Sequence, residues 1–210
     1  MRALCTKYDV PLVIDETHTI CAGPGGCTKA WGLDPDFVTI GKTLGAGIPS
    51  AAYGMTTEVA DRIYANPEYK YADVAGIGGT LAGNALSMAA ARATLGQVLT
   101  DEAFARMDAL CVRLTDLALD TVARHGMPWT VTRLGARAEY RFCAPAPRNG
   151  TESAAADDPD LDEYLHLAMS NRGVLITPFH NMVLMCPETT EADVDLHGEL
   201  FEEAVARLAG

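Results

Sequence analysis

Positive charge is in short supply in this 210-residue chain: 16 lysines and arginines stand against 28 aspartates and glutamates, a formal net charge of -12. A field of that sign repels phosphate backbones and anionic headgroups, which argues against nonspecific binding to nucleic acid or to a membrane surface. It leaves room for a small anion in a local positive pocket. No run approaches the ~18 consecutive apolar residues of a membrane span. The first residues, MRALCTKYDVP, lack the apolar centre of a signal peptide. The six cysteines, Cys5, Cys21, Cys27, Cys111, Cys143 and Cys186, include no CxxC pair. No Cys/His cluster has zinc-ligand spacing either, so no metal is expected. Free thiols with no export signal point to a reducing cytosol, with the cysteines serving as small core hydrophobes.

What is present is ordinary globular composition, 49% hydrophobic and 21% charged, in a length that suits one large domain or one and a half smaller ones. Residues 1–10 read as the tail of a helix. PLVID, DFVTIG and SAAYGM are short buried-strand patterns ending in turn signals. TEVADRIYA and GNALSMAAARATLGQVL have helical spacing, the second with Asn84 near its start, and a further helix is predicted from about 101 to 124. After Pro128, WTVTRLG, AEYRFCA, VLITPF and NMVLMCP are predicted strands. Residues 144–160 are predicted as a solvated loop or disordered excursion. LDEYLHLAMSNRG reads as a helix closed by Gly173 at the C′ position, and Thr190 with Asp193 as the start of a last helix. The fold class expected is α/β over residues 1–100, then a connecting helix at 101–127 and a small α+β domain at 128–210.

The chemistry concentrates in LVIDETHTI. An apolar run ends in Asp15, and 27 residues later Lys42 ends another, in TIGKTLGAG. Three arrangements compete. A nucleotide triphosphatase would use DETH and GKT, but a P-loop needs glycine five residues before Gly41, where Asp36 stands. A plain ion pair at the sheet ends is the bland alternative. It does not account for the glycines at 41, 45 and 47, which let the backbone pass close to something bulky that the lysine must reach. The third is a pyridoxal 5'-phosphate (PLP) site. That chemistry needs a lysine amine for a Schiff base, an acid beside the pyridine nitrogen and donors for a phosphate. Asp15 and Lys42 on adjacent strand ends can bracket one flat ring.

LVIDETHT, PDFVTIGKTLGAGIPSAAYG and GGTLAGNALSMAAARATL, in this order, resemble the class III, fold-type-I aminotransferases, in the branch of glutamate-1-semialdehyde aminomutase and related ω- or β-amino-acid transaminases. The likeness continues more weakly through RGVLITPFHNMVLMCPETTEADVD. It implies the C-terminal part of a PLP-dependent transferase large domain, a mostly parallel sheet with helices, followed by a small C-terminal domain. It also implies roles: Lys42 as the Schiff-base lysine, Asp15 on the pyridine nitrogen, Thr17 on the ring face, His18 near the phenolic oxygen, and Gly79 and Thr80 on the phosphate, the threonine often reaching it from the neighbouring subunit. Thr17 stands where valine is commoner. The implied partners are a small-molecule amino donor, a keto or aldehyde acceptor and a second copy of the chain sharing the active site.

The family normally carries a long portion before the acid motif, with a phosphate loop and a stacking aromatic, and 14 residues hold neither. A gene fragment, one part of a split enzyme and a misplaced start fit equally. The competing expectation is a non-catalytic remnant or a subunit awaiting its partner. Half a large domain is also expected to leave apolar faces uncovered and to self-associate. His180 is a candidate for the substrate entrance, and Arg141 and Arg172 for binding a substrate carboxylate. His125, His166 and His197 are expected at the surface, and Trp31 and Tyr53 in the core.

Overall fold

The three apolar runs of the first hundred residues pair into one sheet in the computed structural model, which describes residues 1–70, 78–177 and 181–210. The chain divides into two compact units, Met1–Asp101 and Glu102–Gly210. In the first, helix α1 (Arg2–Lys7) leads to β1 (Val13–Asp15). Asp36 fixes the start of that strand, because its carboxylate accepts from the Leu12 N–H and from Arg2, both at 2.6 Å. Helix α2 (Gly26–Ala30) precedes β2 (Phe37–Ile40), which lies parallel to β1 with Asp15 opposite Thr39. Strand β3 (Ala52–Met55) returns antiparallel to β2.

In this part of the sheet one pairing is parallel and the other antiparallel. Only 11 residues join β2 to β3, fewer than a helical crossover to a parallel neighbour needs. Helix α3 (Thr57–Ala65) is capped by Thr56, and α4 (Ala85–Ala93) by Asn84. The predicted helix does not run on as α-helix to Leu99. It widens into a π turn at Thr94–Val98 around Gly96, with the Leu99 N–H reaching back to the Thr94 carbonyl at 2.9 Å.

The second unit begins with the long helix α5 (Asp101–Arg124), whose buried Phe104, Met107, Leu110, Leu114 and Ala118 recur at helical spacing. Strands β4 (Thr130–Leu134), β5 (Arg137–Arg141) and β6 (Met182–Leu184) form an antiparallel sheet in that order. Helix α7 (Pro159–Ser170) packs on α8 (Glu191–Ala209), and the core gathers around Tyr140, Leu165, Met169 and Phe201. Gly198 lets α5 and α8 approach, since a Cβ there would lie 3.0 Å from Leu117 Cδ1. The capping box of Thr190 and Asp193 starts α8 as predicted. At the end of α7, the Gly173 N–H bonds Ser170 O and the Val174 N–H bonds Met169 O, the paired bonds of a Schellman ending with Gly173 at φ 94°.

Several expectations fail here. The segment 144–160 contains a helix, α6 (Gly150–Ala155), because Asn149 accepts from the Glu152 N–H at 2.9 Å and the following residues favour helix. Val174–Thr177 is not a strand: its polar groups go to local bonds, Ile176 O to His166 and the Thr177 hydroxyl to Met182 O. The remainder of VLITPF lies outside the described residues. His197 is 3% exposed rather than at the surface, since position 197 falls on the stripe Val194–Phe201–Val205 that faces the core. Trp31 and Tyr53 are exposed, not core. Of the cysteines only Cys27 and Cys111 are buried. Among the described residues no helix is long and apolar enough to cross a membrane.

Candidate active site

Side chains alternate across a strand, and the end of β1 uses that alternation to separate two carboxylates. Asp15 points outward and is exposed, whereas Glu16 points inward and is 1% exposed. The Asp15 carboxylate accepts from the Thr17 N–H at 2.8 Å. Hydrogen bonds from the Thr17 hydroxyl and N–H, with lesser help from the Thr39 hydroxyl and the charge of Lys42, outweigh desolvation and hold it below the usual carboxylate range. It is an anion with lone pairs to spare at neutral pH.

Lys42 follows β2 directly and opens a 3-10 turn, Lys42–Gly45. Because β1 and β2 are parallel, Asp15 and Lys42 emerge from the same end of the sheet, where open α/β sheets bind ligands. Lys42 is exposed and sits at φ 51°, a left-handed conformation that costs a lysine energy and recurs at functional sites. Gly41 just before it is buried between Ala51 and Thr17: a Cβ there would lie 3.7 Å from Ala51 Cβ and 3.9 Å from Thr17 Cγ2. Asp15, Thr17 and Lys42 thus form one neighbourhood. His18 is exposed at the head of the 3-10 turn Thr19–Ala22.

Gly79 and Thr80 lie in an exposed loop whose glycines 78, 79 and 83 all take positive φ. Two tight turns shape it, Ala82 N–H to Gly79 O at 3.2 Å and Asn84 N–H to Leu81 O at 3.3 Å. The loop feeds α4, which packs against the Lys42–Gly45 turn. The N–H groups of such a turn and the Thr80 hydroxyl suit an anion.

Glu16 is the residue that sequence reasoning passed over. Its N–H bonds Thr39 O at 2.8 Å, and its carboxylate accepts from the Thr19 hydroxyl, the Cys27 N–H at 3.1 Å and the Thr28 N–H. Burial pushes its pKa up, but these donors outweigh burial and hold it below the usual range. The signal was the doublet of acids at a strand end followed by GPGG, after which the first turn of α2 presents the Cys27 and Thr28 N–H groups. His180 lies outside the described residues. Arg141 and Arg172 belong to the second unit and already have partners, Glu139 at 2.8 Å and Glu203 at 2.7 Å. Among the described residues no group of three His, Cys, Asp or Glu side chains could hold a metal ion.

The family model for aminotransferase class-III matches residues 1–205. The chain belongs to the class-III aminotransferases. Its α/β architecture is that of the C-terminal part of the PLP-dependent transferase fold. A crystal structure of a glutamate-1-semialdehyde-aminomutase from Pseudomonas aeruginosa PAO1 is 45% identical, with a TM-score of 0.91 over 99% of this chain and 47% of that one. A lysine-to-alanine variant of such an enzyme, from the same source and in complex with PMP, is 44% identical with a TM-score of 0.91. The glutamate-1-semialdehyde 2,1-aminomutase 2 of Brevibacillus brevis is 30% identical over 91% of this chain and 44% of its own length. The chain of this class-III aminotransferase spans about half the length of the curated relatives it matches.

Proposed function

We propose that this chain supplies the lysine- and acid-bearing part of an active site that uses PLP for amino-group transfer or for the internal amino shift of an aminomutase. The observation that carries the proposal is the pair at the sheet edge: a carboxylate held anionic and a strained, exposed lysine on neighbouring parallel strand ends, close enough that Lys42 lowers the Asp15 pKa. When bound, PLP supplies an electron sink for the substrate carbon that loses its proton. Asp15 would meet the pyridine nitrogen with negative charge, Thr17 would lie at the ring face and His18 toward the phenolic oxygen, and the Gly79 N–H and the Thr80 hydroxyl would serve a phosphate. Lys42 Nζ would be the amine for the aldehyde and the group that holds and moves a proton as general base and acid.

The substrates under this reading are a small amino donor and a keto or aldehyde acceptor. An aminomutase would act as both on one molecule, as the names of the relatives suggest. A homodimer with a shared site is supported by Leu81 and Leu86, 79% and 65% exposed beside Thr80. A reducing compartment such as the cytosol is supported by six free cysteines. The alternative expected from the sequence is a non-catalytic remnant or a subunit of a split enzyme. The purified chain mixed with PLP decides between them. A band near ~420 nm that is lost in Lys42→Ala supports the site, as Schiff-base chemistry requires. No band in the intact, folded chain supports the second reading.

A further inference from the structure

Two donors from one residue converge on the outward-facing acid. Asp15 ends β1, and its carboxylate accepts from the Thr17 N–H at 2.8 Å, which closes a tight turn between the two residues. The Thr17 hydroxyl donates to the same carboxylate. The Thr39 hydroxyl reaches it from β2, where Thr39 is the register partner of Asp15. An ionised carboxylate has about four acceptor positions. These donors take three of them, and the exposed side of Asp15 keeps one for an N–H that comes from outside.

Thr17 also adjoins the lysine turn. A Cβ at Gly41 would lie 3.9 Å from Thr17 Cγ2 and 4.0 Å from Thr17 Oγ1, so this side chain lies beside the residue that precedes Lys42. The local fold does not need the hydroxyl. The turn is closed by a backbone N–H, which every residue except proline supplies. Valine has the shape of threonine without the donor, and Thr17 is half-buried, so the exchange costs little in packing. What the hydroxyl adds is a second hold on a carboxylate whose terminal torsion is otherwise broad.

We propose that Thr17 is a positioning residue whose hydroxyl fixes the rotation of the Asp15 carboxylate, so that its remaining acceptor position meets the pyridine nitrogen of PLP. The proposal deepens the PLP reading above and rests on it. Packing on the ring face, the other role of position 17, makes the opposite demand. Valine would serve apolar packing better than threonine, and serine would serve it worse.

The test uses the full chain as wild type, Thr17→Val and Thr17→Ser. Calorimetric titration compares PLP with the PLP analogue whose ring nitrogen is replaced by C–H, which offers Asp15 nothing to meet. PLP affinity is expected to fall about fivefold in Thr17→Val, the size of one hydrogen bond, and to stay within about twofold in Thr17→Ser. Affinity for the analogue is expected to stay within about twofold in both variants. Thr17→Ala also lacks the hydroxyl and gives the same comparison if Thr17→Val does not fold. PLP binding in Thr17→Val as tight as in wild type or tighter, or equal losses for both ligands, overturns the proposal. The ligand-free chain gives a second measurement, the pH titration of the Asp15 carboxyl carbon by NMR. Its midpoint is expected to rise in Thr17→Val, which loses a donor to the charged form, and to stay in place in Thr17→Ser. A midpoint that does not move in Thr17→Val overturns the proposal and leaves the PLP reading standing. A wild-type chain that binds no PLP, with the midpoint moving as expected, overturns the PLP reading and with it the assignment of the pyridine nitrogen to Asp15.

Discussion

The Glu16 carboxylate occupies the space that any side chain at Gly26 would need. Gly26 sits at φ 60°, and a Cβ built on it overlaps both carboxylate oxygens of Glu16. Backbone and acid therefore specify each other across the turn that begins α2. Gly26→Ala is expected to destabilise the first unit by about 2 kcal/mol or more, from left-handed strain together with displacement of a buried anion. Glu16→Ala strands the Cys27 and Thr28 N–H groups and is expected to cost roughly 2–4 kcal/mol. Urea titration of each variant checks both values.

Asp15 is the acid that faces outward. Asp15→Asn keeps its size and removes its charge, so the fold is expected to persist while PLP affinity falls at least about tenfold. Circular dichroism against the ~420 nm titration separates the two effects. Equal PLP affinity in the variant would remove Asp15 from the site.

His197 makes the second unit sensitive to acid. Its Nε2 meets the Tyr140 hydroxyl, its Nδ1 has no partner among the described residues, and Phe201 stacks alongside. Burial lowers its pKa from 6.5 to about 4 and raises that of Tyr140. A folded pKa below the unfolded one means stability that is complete above about 6.5 and lost as pH falls toward 4, because the unfolded chain takes up the proton first. Up to roughly 3 kcal/mol rides on this histidine across that window. His197→Gln, which does not titrate, is expected to flatten this part of the stability–pH curve, read by urea midpoints between those limits.

Cys186 is the exposed thiol. The Thr189 hydroxyl points at its sulfur from 3.4 Å, and that bond, aided by the Glu188 and Thr189 N–H groups, lowers its pKa against burial and the charge of Glu188. It is expected to react with a disulfide reagent before buried Cys27 and Cys111. Thr189→Val is expected to slow that reaction several-fold at neutral pH, measured by peptide mass mapping.

The motifs that mark the family were legible because each is local. VID, TIGK and GGT hold their residue types within a few positions, and the strand, turn and glycine patterns around them follow from backbone sterics alone. Elements failed where partners decided. VLITPF has the composition of a strand, yet the Val174 N–H bonds Met169 O and the Ile176 carbonyl meets His166, taking backbone groups that a ladder would use. Residues 144–160 look solvated by composition, yet Asn149 finds Glu152 and starts a helix.

The sequence by itself determined which groups are available: an acid ending one apolar run, a lysine ending the next, a glycine-rich loop before a small-residue helix, and the class-III pattern they spell. Tertiary structure alone decided that Asp15 faces out and Glu16 in, that Ser87 holds Pro49, and that His197 is buried against Tyr140. The reason is that residue types set what a side chain can donate, accept or carry. Whether it is buried, and against what, depends on contacts between segments distant in sequence, which exist only once the chain has packed.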